Sequence, residues 1–178
     1  MEQHQQDKTI WTIGHSTRTL DQFIGMLKYF EILLVIDIRR YPGSRKYPHF
    51  NQENLQVSLR ENGIDYMHFA DLGGRRKVQP GSTNTAWNNP SFQGYADYME
   101  TTAFKNSLAE LEKVALQQRT AYMCSEAVWW RCHRSMVSDV LKARGRRVMH
   151  IMGPEKSEEH PYTSPAKIKL GKVSYKTE

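Results

Sequence analysis

The amino-acid sequence predicts a single α/β domain built on a mainly parallel sheet. Short β-rich runs alternate with amphipathic helical segments in the order β-α-β-α-β-αα-β-α-β, the pattern of strands joined by crossover helices. One of those runs, residues 32–38 (Ile-Leu-Leu-Val-Ile-Asp-Ile), is apolar almost throughout, as a strand covered on both faces must be. A length of 178 residues suits one domain. The expectation is a Rossmann-like sheet of about five strands with helices on both faces, spanning residues 10–178. A small C-terminal hairpin closes the chain, and a flexible stretch at 1–9 opens it.

Each element has its own signal. Residues 10–15 are β-rich and break at Gly14. Leu20, Phe23, Ile24, Leu27 and Phe30 then fall on one helical face, and Thr19 with Gln22 forms a capping box at its start. After the apolar second strand, Pro42, Gly43 and Pro48 mark an irregular loop. A second helix starts at Asn51, with Phe50 and Leu55 placed as a hydrophobic staple, and stops at Gly63. Residues 64–69 make a third strand. The stretch 73–90 lacks apolar periodicity and reads as a long loop. Helical segments follow at 92–100 and 104–115, then a fourth strand at 121–124. A stripe of Met136, Val137, Val140 and Leu141 ends at Gly145 and precedes a fifth strand at 148–152. Residues 155–160 read as a polar start to the tail, and 166–175 alternate around Gly171 like a hairpin.

Composition narrows the function classes. Aromatic residues make up 11% of the chain, too many for a disordered segment. Mean hydropathy is −0.69, and no apolar run approaches the ~20 residues that a bilayer requires. The N-terminus lacks the apolar core of a signal peptide, and two cysteines do not make a disulfide scaffold. The expected location is the cytoplasm, with Cys124 and Cys132 reduced. A formal charge of +6 favours anionic partners, whether small molecules or nucleic acid.

In a parallel sheet the binding crevice lies beyond the carboxyl ends of the strands, so the residues that follow each strand are the candidates. His15 and Ser16 follow the first, where Gly14 frees the backbone for a phosphate. Asp37 and Arg39 leave the second on one side, poised either to pair with each other or to meet a ligand. Gly73 and Gly74 open a basic loop, Arg75-Arg76-Lys77, able to close on a phosphate, with Trp87 available for stacking. The fourth strand delivers Glu126, a carboxylate expected to be poorly solvated and so paired with Arg134 or Arg39, or raised in pKa. Cys132, His133 and Arg134 are expected in the first turn of the last helix, where the dipole stabilises a thiolate or an anion. Cys124 reads as core. Trp129 and Trp130 pack on the domain or wall a site, and His160 in the tail completes the set. Glu126, Cys132 and His133 are the catalytic candidates; His15, Ser16, Asp37, Arg39, Gly73, Gly74, Arg134 and His160 are the substrate-binding ones. Neither the G-x-G-x-x-G nor the P-loop signature is present, the C-x7-C spacing is not that of a structural zinc knuckle, and no cofactor is identifiable.

The segments Thr12-Ile-Gly-His-Ser-Thr17, Asp37-Ile-Arg39, Leu72-Gly-Gly74, Met123-Cys-Ser-Glu126, Cys132-His-Arg134 and His160-Pro-Tyr-Thr163 together resemble domain-of-unknown-function family 488, over about residues 10–175. The resemblance implies a compact α/β domain with these segments at one site, and it brings no reaction with it. The residues themselves point first to an enzyme acting on a phosphate-bearing, nucleotide-like or nucleic-acid-derived substrate. The alternatives are a Cys/His metal or redox protein and a non-enzymatic nucleic-acid-binding module.

Overall fold

The computed structural model describes residues 7–178. Six strands form one sheet: β1 (Thr9–Gly14), β2 (Leu34–Asp37), β3 (Asp65–His68), β4 (Thr120–Cys124), β5 (Arg147–Gly153) and β6 (Lys156–Glu159). Their order is β3-β2-β4-β1-β5-β6, parallel except for β6. The helices are α1 (Leu20–Tyr29), α2 (Gln52–Glu61), α3 (Pro90–Met99), α4 (Thr102–Ala115) and α5 (Arg134–Ala143). A separate hairpin pairs β7 (Lys167–Lys169) with β8 (Lys172–Ser174).

The β6 strand departs from expectation. Its sequence, Lys-Ser-Glu-Glu, has no apolar alternation to announce a strand, because it lies on the sheet edge, where charged side chains discourage further pairing. Of the stretch expected to be flexible at 1–9, residues 1–6 lie outside the described residues, and Thr9 already belongs to β1.

Local rules account for the helices. Thr19 Oγ1 accepts from the Gln22 N–H at 3.1 Å while the Gln22 side chain accepts from the Thr19 N–H at 3.0 Å, the reciprocal cap read from the sequence. The helix then buries Phe23, Ile24, Met26 and Leu27. These residues join Leu55 and Leu59 of α2 in one core cluster; the other cluster holds Tyr95, Phe104, Leu108, Met136 and Val137 from α3, α4 and α5. Helices thus cover both faces of the sheet, as expected. Among the described residues, no helix is long and apolar enough to cross a membrane.

This topology positions the site. The chain leaves β1 and β2 toward helices on one face and leaves β4 toward α5 on the other. Because β4 lies between β1 and β2, connections diverge on both of its sides, and a crevice opens where they part.

Candidate active site

At the end of β1, Gly14 pairs with Cys124 of β4. A Cβ on Gly14 would stand 1.7 Å from the Glu126 carbonyl oxygen, so only glycine lets the loop after β4 lie against β1. The His15 and Ser16 amides donate to the Cys124 and Ser125 carbonyls, both at 2.9 Å. This corrects the expectation that the turn's backbone cradles a phosphate: those two N–H groups stitch β1 to the exit of β4. Ser16 takes the left-handed conformation, φ 51°, to make the turn.

The His15 ring is buried and stacks on Phe50 at 4.3 Å. Its Nδ1 faces the Ser16 carbonyl at 2.9 Å and must carry the proton, which leaves Nε2 to accept from Arg39 Nη1 at 3.3 Å. Burial holds this imidazole down to about 4, against the smaller effect of the Ser16 bond, so it is neutral at physiological pH. Arg39 grips Asp37 with two donors, Nε to Oδ1 at 2.9 Å and Nη2 to Oδ2 at 2.7 Å, and also reaches the Phe50 carbonyl at 2.8 Å. Tyr66 donates to the same carboxylate at 2.7 Å. The mutual ion pair is therefore what Asp37 and Arg39 do, and it braces His15.

Cys124 ends β4, and Cys132 lies two residues before α5; both are buried free cysteines with sulfurs 2.6 Å apart. His133 is the N-cap rather than a first-turn residue. Burial by itself pushes the Cys132 thiol up. The hydrogen bond from Cys124, the Arg134 guanidinium and the Arg134 N–H, 3.4 Å from Sγ, outweigh it and bring Cys132 down to about 7. Cys124 moves the other way: burial, reinforced by its bond to Cys132, holds it well above the usual thiol range. At about 7 Cys132 is thus the readier of the two to ionise, and Cys124 is the thiol that donates to it. His133 Nε2 faces the Ile38 carbonyl at 3.2 Å and must be the protonated nitrogen, so the Nδ1 lone pair looks at Cys132 Sγ from 3.6 Å. Burial lowers the His133 pKa, which keeps the ring neutral and able to take a proton.

Arg134 does not reach the substrate side, nor does it pair with Glu126 through the carboxylate. It is 1% exposed, and its Nη2 donates to the Glu126 main-chain carbonyl at 2.8 Å while Nη1 donates to Thr12 Oγ1 at 3.1 Å. Among the described residues its Nε has no hydrogen-bond partner, and no carboxylate stands within ion-pair distance. Glu126 itself is exposed at the cleft mouth, with no hydrogen bond to its carboxylate among the described residues, so the expectation of a poorly solvated acid fails: the loop turns its side chain outward.

Behind Arg134 a chain of buried groups runs to the tail. Thr12 Oγ1 meets His150 Nδ1 at 2.6 Å, His150 Nε2 meets His160 Nδ1 at 2.9 Å, and His160 Nε2 meets Asp139 Oδ1 at 2.8 Å. Asp139 also accepts from the Thr163 N–H at 2.9 Å, the Thr163 hydroxyl, and the Tyr175 hydroxyl at 2.8 Å. Since Arg134 can only donate and the carboxylate only accept, one assignment satisfies the chain: every proton points away from Arg134 toward Asp139. Burial, then His160, then Arg134 drive His150 down to about 2, and its ring stacks on Trp129 at 4.7 Å. His160, expected at the substrate, belongs to this chain.

The cleft holds about 690 Å³. Of the candidate residues, His15, Ser16, Arg39, Gly74, Glu126, Cys132 and His133 line it, whereas Asp37, Gly73, Arg134 and His160 stand behind its walls. Gly73 packs on the Arg40 backbone, and a Cβ on Gly74 would come within 3.0 Å of His133 Nδ1. Trp87 is unavailable for stacking because it packs on Phe92 and Tyr175. Tyr95, whose ring lies 5.1 Å from His133, was not singled out; the rim cations are Arg40, Arg131 and Arg75, the last from the basic loop read in the sequence. Asp139 had a legible signal: an acid among the apolar stripe of α5, at a position that must be buried. Among the described residues no three His, Cys, Asp or Glu side chains are grouped as a metal site, so the Cys/His metal reading has no ligand set to rest on.

No curated protein and no solved structure matches the chain. Residues 19–141 match the family described as domain of unknown function DUF488, a span that holds α1 through most of α5 and both cysteines. With more than half of its length matched, the chain belongs to the DUF488 family.

Proposed function

We propose that the protein is an enzyme that uses Cys132 as a nucleophile on a phosphate-bearing, nucleotide-like substrate in the cleft. The observation that carries this reading is the Cys132 sulfur itself: a thiol held near 7 at the wall of a 690 Å³ cleft, with the neutral Nδ1 of His133 3.6 Å away. The substrate class follows from the lining. Arg40, Arg75 and Arg131 supply positive charge, Tyr41, Tyr47, Phe92 and Tyr95 supply rings, and Glu126 is the one carboxylate. An anion with an aromatic base suits such a surface.

In this mechanism His133 takes the Cys132 proton, Cys124 holds the thiolate by its S–H, and the sulfur attacks an electrophilic centre of the substrate. The bond to the leaving group breaks as the sulfur bond forms, and His133 passes the proton it took from Cys132 to the departing atom, while Glu126 at the cleft mouth is placed to hold a hydroxyl of the substrate. The chain would work in the cytoplasm, where thiols stay reduced. The test is alkylation of Cys132 by iodoacetamide during titration with inorganic phosphate and with mononucleotides, followed by acid quench and intact mass. Protection by nucleotides and a covalent adduct lost in Cys132→Ser support the reading. Alkylation that no nucleotide slows sinks it.

A further inference from the structure

We propose that Cys132 and Cys124 are the two halves of a thiol–disulfide exchange site, which closes to an intramolecular disulfide on meeting a low-molecular-weight disulfide and reopens with the corresponding thiol. The proposal shares the reactive Cys132 with the nucleophile reading but requires none of its substrate. Its basis is geometric. The two sulfurs are in contact at 2.6 Å, both face the same cleft, and no side chain separates them. Cys124 is fixed by strand pairing to Gly14, and Cys132 by its N–H to the Trp129 carbonyl at 3.1 Å and its carbonyl to the Ser135 N–H at 3.0 Å. Bridging them therefore asks for no rearrangement of the sheet or of α5.

The two cysteines are inequivalent in the way exchange requires. Cys132 is the attacking thiolate, stabilised by Arg134 and by the Cys124 S–H; Cys124 stays protonated until it is needed. The Cys132 sulfur attacks one sulfur of a disulfide R–S–S–R, that bond breaks, one thiolate leaves, and a mixed disulfide Cys132–S–S–R forms. Cys124 then attacks the Cys132 sulfur, the second R–S group departs, and the Cys124 proton goes with it. The balance is two protein thiols plus R–S–S–R giving one protein disulfide plus two R–SH. The protein is oxidised by two electrons and the small disulfide is reduced.

Arg134 sets the direction of poise. In the reduced state its buried cation faces a thiolate; in the disulfide that anion is gone, and the cation is left against carbonyls and Thr12 alone. Stabilising the reduced form makes the disulfide the more reducible one. The pair therefore favours its reduced form, and its bridge opens readily.

The full chain treated with oxidised glutathione tests this. Wild type should lose two hydrogens in mass and both alkylatable thiols, and reduced glutathione should restore them. Cys124→Ser should stop at a stable glutathione adduct on Cys132. In Cys132→Ser the reaction should slow at least about tenfold, because the remaining thiol is buried and protonated. Thermal melts of both variants, with Cys124→Ala as a second replacement, separate loss of fold from loss of reactivity. A wild-type protein that keeps a glutathione adduct, or that alkylates at Cys132 yet never loses two hydrogens, overturns the exchange site and leaves the nucleophile reading standing. Bridge formation without any nucleotide protection does the reverse.

Discussion

Replacing Arg134 by alanine separates a ligand-binding arginine from one that serves the fold and the cysteine. Its guanidinium is 1% exposed and makes a charged hydrogen bond to the Glu126 carbonyl at 2.8 Å and another to Thr12 at 3.1 Å. Charged bonds of this kind contribute ~1.5–3 kcal/mol each, and truncation also leaves a cavity and a stranded carbonyl. Against this stands the desolvation of the cation, which the variant recovers. The expected net loss is about 3–5 kcal/mol, the range for breaking a buried charged interaction. For a domain of this size each kcal/mol moves Tm by ~2–4 °C, so the melt should fall by roughly 10 °C. The same change acts on Cys132. Without the guanidinium, only the Cys124 bond and the backbone N–H of residue 134 still favour the thiolate against burial, so the thiol should rise from about 7 toward its ordinary value of 9.0. At neutral pH the thiolate fraction then drops at least several-fold, and the iodoacetamide rate drops with it. Differential scanning fluorimetry and a pH–alkylation profile are the two assays. A variant that melts within a few degrees of wild type, or whose alkylation midpoint stays near 7, would refute the argument.

Three further outcomes follow from the same contacts. Asp139→Asn keeps the shape, and its hydroxyl partners can turn to accept, but it removes the charge that four donors address; a loss of about 3 kcal/mol by urea melts is expected, and a change under about 1 kcal/mol would contradict the chain of aligned protons. Gly14→Ala drives a Cβ into the Glu126 carbonyl, so it should cost roughly 3 kcal/mol and slow Cys132 alkylation by displacing the loop, both read on the purified variant; a neutral Gly14→Ala would mean that the loop is not held against β1. Acid should destabilise the fold. His15 and His150 are held at about 4 and about 2, below their ordinary 6.5, so the unfolded chain binds more protons and stability rises with pH. That contribution is complete above 6.5 and is lost as the pH falls from 6.5 toward 4 and below, about 2 kcal/mol per histidine by about pH 5. A flat chemical-denaturation profile over that window would show that neither ring is buried neutral.

How much of this was legible in the sequence depends on the range of the interaction concerned. The capping box at Thr19, the doubly covered β2 and the apolar face of α1 are local patterns, and the chain carries them in full. The rule that sites gather beyond the strand ends led to His15, Arg39, Glu126, Cys132 and His133 without any strand order. What local pattern does not contain is direction. Whether Glu126 turns out or in, and whether Arg134 faces the cleft or the interior, depends on how the loop after β4 lies on Gly14, a contact more than a hundred residues apart in sequence. The β6 strand was hidden for a related reason: at a sheet edge its hydrogen bonds to β5 hold it, and backbone bonds leave no mark on residue type.

The buried arginine links these parts. A cation with no carboxylate in contact is costly in a protein interior unless something answers its charge. Two groups do so, from opposite sides. On the cleft side the answer is the Cys132 thiolate, which the same cation helps create. On the interior side it is Asp139, reached through Thr12, His150 and His160 with every proton aligned away from the arginine. This explains why His160 and Tyr175, drawn from the C-terminal tail, are among the buried polar and aromatic groups of the described residues. The tail seals the back of a charged assembly whose front is the reactive cysteine. It also explains the opposite characters of the two thiols. Cys132 receives the Arg134 N–H, the Cys124 S–H and the field of the guanidinium, whereas Cys124, one sulfur contact away, spends its proton on Cys132 and is held by burial above the ordinary range. The asymmetry that a nucleophile and a resolving thiol require is thus set by the Cys124 bond together with Arg134, and remote changes at Asp139 or His160 should be felt at the cleft through the arginine.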